Sequence, residues 1–267
     1  MKMLNSKSGP GVTKSLKFSP SDFAAVIAHL PEGCPLVGGQ AVAWWAARYG
    51  LTGQGGEPIT SGDIDFWGGR EDLTQLARAL RRKPIYPNEY EMTLWAGAVE
   101  LNIKGEKTVA EFLHSIPGLD TPYPEKASVT QTYREQSIEK KFLVLSPVSL
   151  VLTKLHALRR FDQKDRNDEL HLKVCLKSSR LFIAEMLAGQ DARPALRECE
   201  RLIAAHQSKP YRKLEQQAQF NLLDSVPIAE IRSASDSLDQ LPDNRQRLRN
   251  FINLRWEQVR GKNPPPD

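Results

Sequence analysis

Cysteine is scarce in this chain. Cys34, Cys175 and Cys199 are odd in number, far apart and form no CxxC pair, which excludes both a disulfide-stapled scaffold and a cysteine-built zinc module. No stretch approaches the roughly 18–20 uninterrupted apolar residues of a membrane span. The opening segment MKMLNSKSGPGVTKS is polar and basic, without the apolar centre of a signal peptide. The five histidines, His29, His114, His156, His171 and His206, are scattered without HExxH spacing, and neither a GxSxG nor a P-loop pattern occurs. Internal repeats and low-complexity runs are absent as well. These gaps predict a reduced, cytoplasmic globular protein outside the common hydrolase and P-loop classes.

What is present is an ordinary globular composition, 40% hydrophobic and 26% charged over 267 residues, enough for one large domain or two small ones. The net charge of +5 comes entirely from residues 146–267, because residues 1–145 carry acidic and basic groups in equal number. A basic half can steer a polyanion toward a site. Character changes at the same point. Before Ser146, short β-like runs alternate with helices, and after it nearly everything has helical periodicity. The expected organisation is a flexible arm over 1–20, a mixed-sheet α/β domain with flanking helices over 21–145, a helical domain over 146–260 and a disordered tail over 261–267.

Within the first part, helices are expected over Ser21–Leu30, Gln40–Tyr49 and Glu71–Lys83, and strands over Cys34–Val37, Asp63–Phe66 and Lys140–Leu145. Two more strands are expected over Glu91–Ala96 and Ala98–Lys104, joined by a tight bend at Gly97. Ser146-Pro147 is a capped helix start. Helices then follow over Pro147–Phe161, Asn167–Leu187, Ala192–Gln207, Lys209–Leu223 and Asp243–Val259.

Four features carry chemistry. The run LVGGQAVAWW passes from an apolar strand through Gly38-Gly39 into a helix, a junction where bare backbone and a helix N-terminus can meet a phosphate. Asp63 and Asp65 alternate with Ile64 and Phe66. On a strand they share one face, where two carboxylates repel unless a cation lies between them. Such a pair suits Mg²⁺, which takes one or two carboxylates together with triphosphate oxygens. In VELNI, Glu100 alternates with the apolar residues, and on an adjacent strand it would be a third carboxylate, a general base or a further metal ligand. Finally, on a helix from Pro147, Lys154 falls about 40° from Leu150 and Leu158 at the edge of the apolar stripe. Its covered stem and emerging ammonium suit a triphosphate. Arg159 is a second cation in that stripe, and Asp165 and Asp168 follow three apart.

The order Gly-Gly, helix, Asp-x-Asp on a strand resembles the signature of polymerase-β-type nucleotidyltransferases. The later runs KLHALRR and KDRNDEL are similar to a segment of the AbiEii-type and related minimal nucleotidyltransferases, which include toxins of bacterial toxin–antitoxin pairs. The resemblance spans about residues 38–170. It implies that Gly38, Gly39 and Gln40 contact the triphosphate, with Lys154 and Arg159 as further nucleotide-binding residues. It also implies that Asp63 and Asp65 bind Mg²⁺ or Mn²⁺, that Glu100 takes the place of a third carboxylate, and that Asp168, or else Asp165, is the late aspartate of the second motif. The implied partners are a nucleoside triphosphate, an RNA (tRNA) or protein acceptor, and an antitoxin protein. A non-catalytic binding or regulatory protein on the same fold is the competing expectation. In this chain Gly39 stands where serine is common, and 23 residues separate it from Asp63, so the glycine-rich segment 50–61 reads as an insertion or lid. The sugar-nucleotide glycosyltransferases that also use Asp-x-Asp need a longer doubly wound unit upstream than about 60 residues provide.

Overall fold

The computed structural model describes residues 18–262 except 54, 89–92, 120, 136–137, 164–165, 190 and 238. Most of the expected arm and tail, together with Asp165 and the start of the strand expected at Glu91, lies outside the described residues. The arm's last residues are part of the fold, since Phe18 is buried and forms a bridge with Ser61. Gly261 and Lys262, expected in the tail, end a helix.

The first half is a mixed α/β layer. Its strands are β1 (Leu36–Val37), β2 (Ile64–Trp67), β3 (Pro84–Ile85), β4 (Trp95–Ile103), β5 (Glu106–Leu113), β6 (Ser128–Glu135) and β7 (Ile138–Leu145). They form one sheet in the order β3-β4-β5-β2-β1-β7-β6. β2 runs antiparallel to β1 and parallel to β5, and β1 runs parallel to β7. A 3₁₀ turn (Pro20–Phe23) leads into α1 (Ala24–His29), and α2 (Gly38–Arg48), α3 (Arg70–Ala79) and α4 (Pro124–Ala127) complete this half.

The expectation of two strands meeting at Gly97 is corrected. β4 continues through Gly97, where its pairing with β5 shifts register as a bulge. Gly97 has φ +141°, and a Cβ there would lie 2.4 Å from the Ile85 carbonyl and 2.5 Å from a Leu73 methyl. The glycine therefore serves close packing and a bend within a strand.

The second half is helical: α5 (Pro147–Arg160), α6 (Asp168–Leu187), α7 (Arg193–Gln207), α8 (Lys209–Ala218), α9 (Ile228–Asp236), α10 (Pro242–Phe251) and α11 (Glu257–Lys262). A π-helical turn, Ile252–Trp256, joins the last two. Ser146 caps α5 as expected, its Oγ accepting the Ser149 amide at 3.1 Å.

α2 holds the two halves together. It packs on β1 and β2 on one side and on α5 and α6 on the other. Its Trp45 indole donates to the Leu145 carbonyl at the end of β7 (2.9 Å), and the same ring meets Phe182 of α6 at 5.4 Å between centroids. Ala41, Ala43 and Ala46, spread around α2, are all buried, and their small side chains let sheet and helices approach from both sides. Among the described residues no helix is long and apolar enough to cross a membrane.

Candidate functional site

β1 passes into α2 without a loop, and this junction sets the site. Gly38 turns the chain at φ +63°, a left-handed conformation that glycine adopts without a steric penalty. Val37 pairs with Asp65 across β1 and β2, so the Asp65 carboxylate lies against the turn. A Cβ on Gly38 would fall 1.9 Å from Asp65 Oδ2, and one on Gly39 would fall 2.4 Å from Ser61 Oγ. Both glycines are thus required by side chains of the site itself. The approach also sets a carboxylate beside the first turn of an eleven-residue helix, where unpaired amides favour negative charge.

The segment before β2 is fixed from two sides. Gln40, buried on α2, donates its amide to the carbonyls of Phe18 (2.9 Å) and Ser61 (3.0 Å). Thr108 of β5 donates to the Gly62 carbonyl at 2.7 Å. The expectation that Gln40 contacts a nucleotide is therefore corrected, because its side chain is 1% exposed, its amide nitrogen is bound to backbone carbonyls and it does not line the cleft.

Asp63, Asp65, Lys154, Arg166 and Asp168 line one cleft of about 470 Å³ with Gly38 and Gly39. A third carboxylate stands beside the aspartates, but it is Glu111. Glu111 of β5 is the register partner of Asp65. Glu100 is corrected on the same ground. It lies on β4, opposite Val109, with β5 between it and β2, and it is exposed.

The acidic group is electrostatically loaded. Burial, then the neighbouring Asp63, pushes the Asp65 carboxyl up to about 6, while Lys154 and Arg166 pull the other way. Burial, then Asp65 and Asp63, pushes Glu111 up to about 7. Burial raises Asp63 too. Carboxylates that each disfavour the others' charge are relieved by a cation. Among the described residues, no group of three or more His, Cys, Asp or Glu side chains is arranged to hold a metal ion alone. The donor set nevertheless fits Mg²⁺ as part of a shared shell, since that ion takes one or two carboxylates and completes its octahedron from phosphate oxygens and water.

The positive side of the cleft comes from the helical half. Lys154, 8% exposed on α5, donates to Asp168 Oδ1 at 2.8 Å, and Arg166 Nε donates to Asp168 Oδ2 at 2.5 Å. Asp168 is the first residue of α6 and is itself buried. Burial alone would raise its carboxyl, but Lys154 and Arg166 outweigh it and hold the group below the usual carboxylate range. One carboxylate thereby orients two cations. Arg159 is corrected: it is exposed in the last turn of α5, with its guanidinium 5.6 Å from the Tyr211 ring of α8. Arg166, which sequence reasoning passed over between two aspartates, lines the cleft instead.

No family model and no curated protein matches the chain. Among solved structures it is similar to the crystal structure of an antigenic nucleotidyltransferase-like protein from Paracoccidioides brasiliensis. That likeness has 15% identity and a TM-score of 0.43, over 77% of this chain and 97% of that one.

Proposed function

We propose that the chain is a Mg²⁺- or Mn²⁺-dependent nucleotidyltransferase of the polymerase-β superfamily, in or near the AbiEii-type branch. It would move a nucleoside monophosphate from a nucleoside triphosphate to an acceptor hydroxyl. The observation that carries the reading is the meeting in one cleft of a carboxylate pair at the start of β2, a glycine turn at a helix N-terminus and two oriented cations. Phosphoryl transfer needs these parts and little else, because its catalysis is positioning and charge stabilisation.

In this reading Asp63 and Asp65 hold the metal ion, which when bound neutralises phosphate charge. The Gly38 and Gly39 backbone supports the triphosphate, and Lys154 and Arg166 offset its charge. The acceptor oxygen attacks the α-phosphorus, the bond to the β-phosphate oxygen breaks and pyrophosphate departs. Glu111 takes the acceptor's proton. The basic half of the chain favours an RNA acceptor, such as a tRNA end, over a protein hydroxyl. Within the AbiEii-type resemblance the protein would be the toxin of a toxin–antitoxin pair.

The test is incubation with each of the four ribonucleoside triphosphates labelled at the α-phosphate, with Mg²⁺, cellular RNA and cellular protein, beside Asp63→Ala. Label in an RNA or protein band that disappears with the variant supports the reading. Nucleotide binding without transfer to either class would make the chain a non-catalytic binding protein on this fold.

A further inference from the structure

The cleft is not charged throughout. Beyond the carboxylates and cations, its lining includes Leu113 at the end of β5, Ile116 and Pro117 in the following loop, Ala157 in the last turn of α5 and Phe161 just after it. Phe161 is the C-cap of α5, already in an extended conformation, and its amide bond to the Ala157 carbonyl holds it beside that residue. The loop is seated tightly on that helix. Gly118 has φ +92°, and a Cβ there would lie 2.6 Å from His156 Cβ and 2.9 Å from the Leu152 carbonyl. Close backbone approach is what brings Ile116 and Pro117 to the same wall as Ala157.

Phe161 stands out on that wall. Its side chain is 47% exposed, a large ring open to a cleft whose remaining apolar lining is mostly covered. Its backbone is nonetheless fixed. The Phe161 amide donates to Ala157 O at 3.0 Å, and its carbonyl accepts Gln163 Nε2 at 2.9 Å. The Arg166 guanidinium lies 5.2 Å from the ring centroid, and it is the same guanidinium that Asp168 orients toward the charged half. One arginine thus spans the boundary between the two halves.

We infer that the apolar half of the cleft is a nucleobase pocket, in which Phe161 is the stacking platform and Arg166 links the platform to the phosphate-binding half. The inference rests on the nucleotide reading above and names where that nucleotide's base lies. A planar heteroaromatic ring is the part of a nucleotide that profits from an exposed aromatic face and an aliphatic wall. Phenylalanine offers no hydrogen-bonding group, so the platform itself grips every base alike, since each base has a π-face.

The experiment is isothermal titration of the whole protein with ATP and, separately, with inorganic tripolyphosphate, both with Mg²⁺. Wild type, Phe161→Ala and Phe161→Trp are compared, with melting curves to check that each variant is folded. The expected result is an ATP affinity about 5- to 100-fold lower in Phe161→Ala and restored in Phe161→Trp, with tripolyphosphate binding unchanged in all three. An unchanged ATP affinity in Phe161→Ala, or equal losses for both ligands, overturns the platform and leaves the nucleotide site standing. A wild-type protein that binds neither ligand overturns the nucleotide reading itself, and the platform with it.

Discussion

Gly38 leaves room for a hydrogen and nothing larger, because Asp65 Oδ2 occupies the place a methyl group would take, 1.9 Å from an ideal Cβ. Asp65 stands on β2 between β1 and β5, so its backbone is held and only its carboxylate can give way. Gly38→Ala is expected to displace this carboxylate and strain a positive-φ backbone at a cost of about 1–2 kcal/mol. Transfer activity should fall at least about 100-fold while the circular dichroism spectrum stays native. A variant with wild-type turnover would show that Asp65 is not needed where it stands.

Replacing a carboxylate of the acidic group should separate stability from activity. Asp63 adds to burial in raising the Asp65 carboxyl, and Asp65 and Asp63 together raise that of Glu111. Asp65→Asn is expected to melt above wild type at neutral pH without metal, by about 2–4 °C per kcal/mol of repulsion relieved. It should lose all transfer. Mg²⁺ with nucleotide should raise the melting temperature of wild type and leave the variant's unchanged.

The two glutamates make opposite predictions. Glu111→Gln should lower kcat by about 100-fold or more with little change in nucleotide KM, as expected for a proton acceptor. Glu100→Gln, on the exposed side of β4, should leave both constants at wild-type values. Steady-state kinetics on the two variants decides between them.

Arg166 and Arg159 divide in the same way. Arg166→Ala should raise nucleotide KM, since the residue lines the cleft. Arg159→Ala should affect only the packing of α5 on Tyr211, worth about 1 kcal/mol or less at an exposed site.

Asp168 gives a pH dependence with a definite sign. Its carboxyl titrates below the ordinary aspartate value in the folded chain, held there by Lys154 and Arg166 against its burial. The unfolded chain therefore binds a proton before the folded one does as pH falls. The stabilisation is complete above about pH 4 and is lost as pH drops through the lower folded value. Asp168→Asn leaves Lys154 buried without its partner, at a cost of about 3–5 kcal/mol at neutral pH. Urea denaturation at pH 7 and pH 3 should show the gap between variant and wild type narrowing at the acid end.

Much of this was legible in the sequence because periodicity is strongest where one face of an element is buried and the other is wet. α5, α6 and α7 keep nearly the bounds their apolar stripes and caps suggest. The Asp-x-Asp strand and the glycine junction are equally visible, since their pattern is local. The helix expected over Lys209–Leu223 ends earlier. Gln219 turns left-handed at φ +50°, and Asn221 caps a 3₁₀ turn, so Leu222 and Leu223 enter the core without continuing α8.

Glu111 escaped because its position depends on pairing between distant segments. A signal did exist. Lys104-Gly105, with φ of +53° and +85°, is the positive-φ pair of a two-residue hairpin turn, and EKTVAEFL beyond it alternates as a strand. What the sequence does not write down is that β5, and not β4, lies beside β2. Arg166 was hidden for a related reason, as one charge among several in a loop whose direction is set by Asp168.

The pairing of Lys154 and Arg166 with Asp168 also bears on how the protein comes into being. A ribosome delivers the carboxylates of the sheet first, and the cations that balance them arrive only after a further stretch of synthesis. Until Asp168 has emerged and α6 has begun to form, the nascent chain carries an acidic half-site with nothing to orient its counter-charges. On the proposed reading, a chain interrupted before that point would lack transfer activity, because its metal-binding half would stand without the charges that balance the triphosphate.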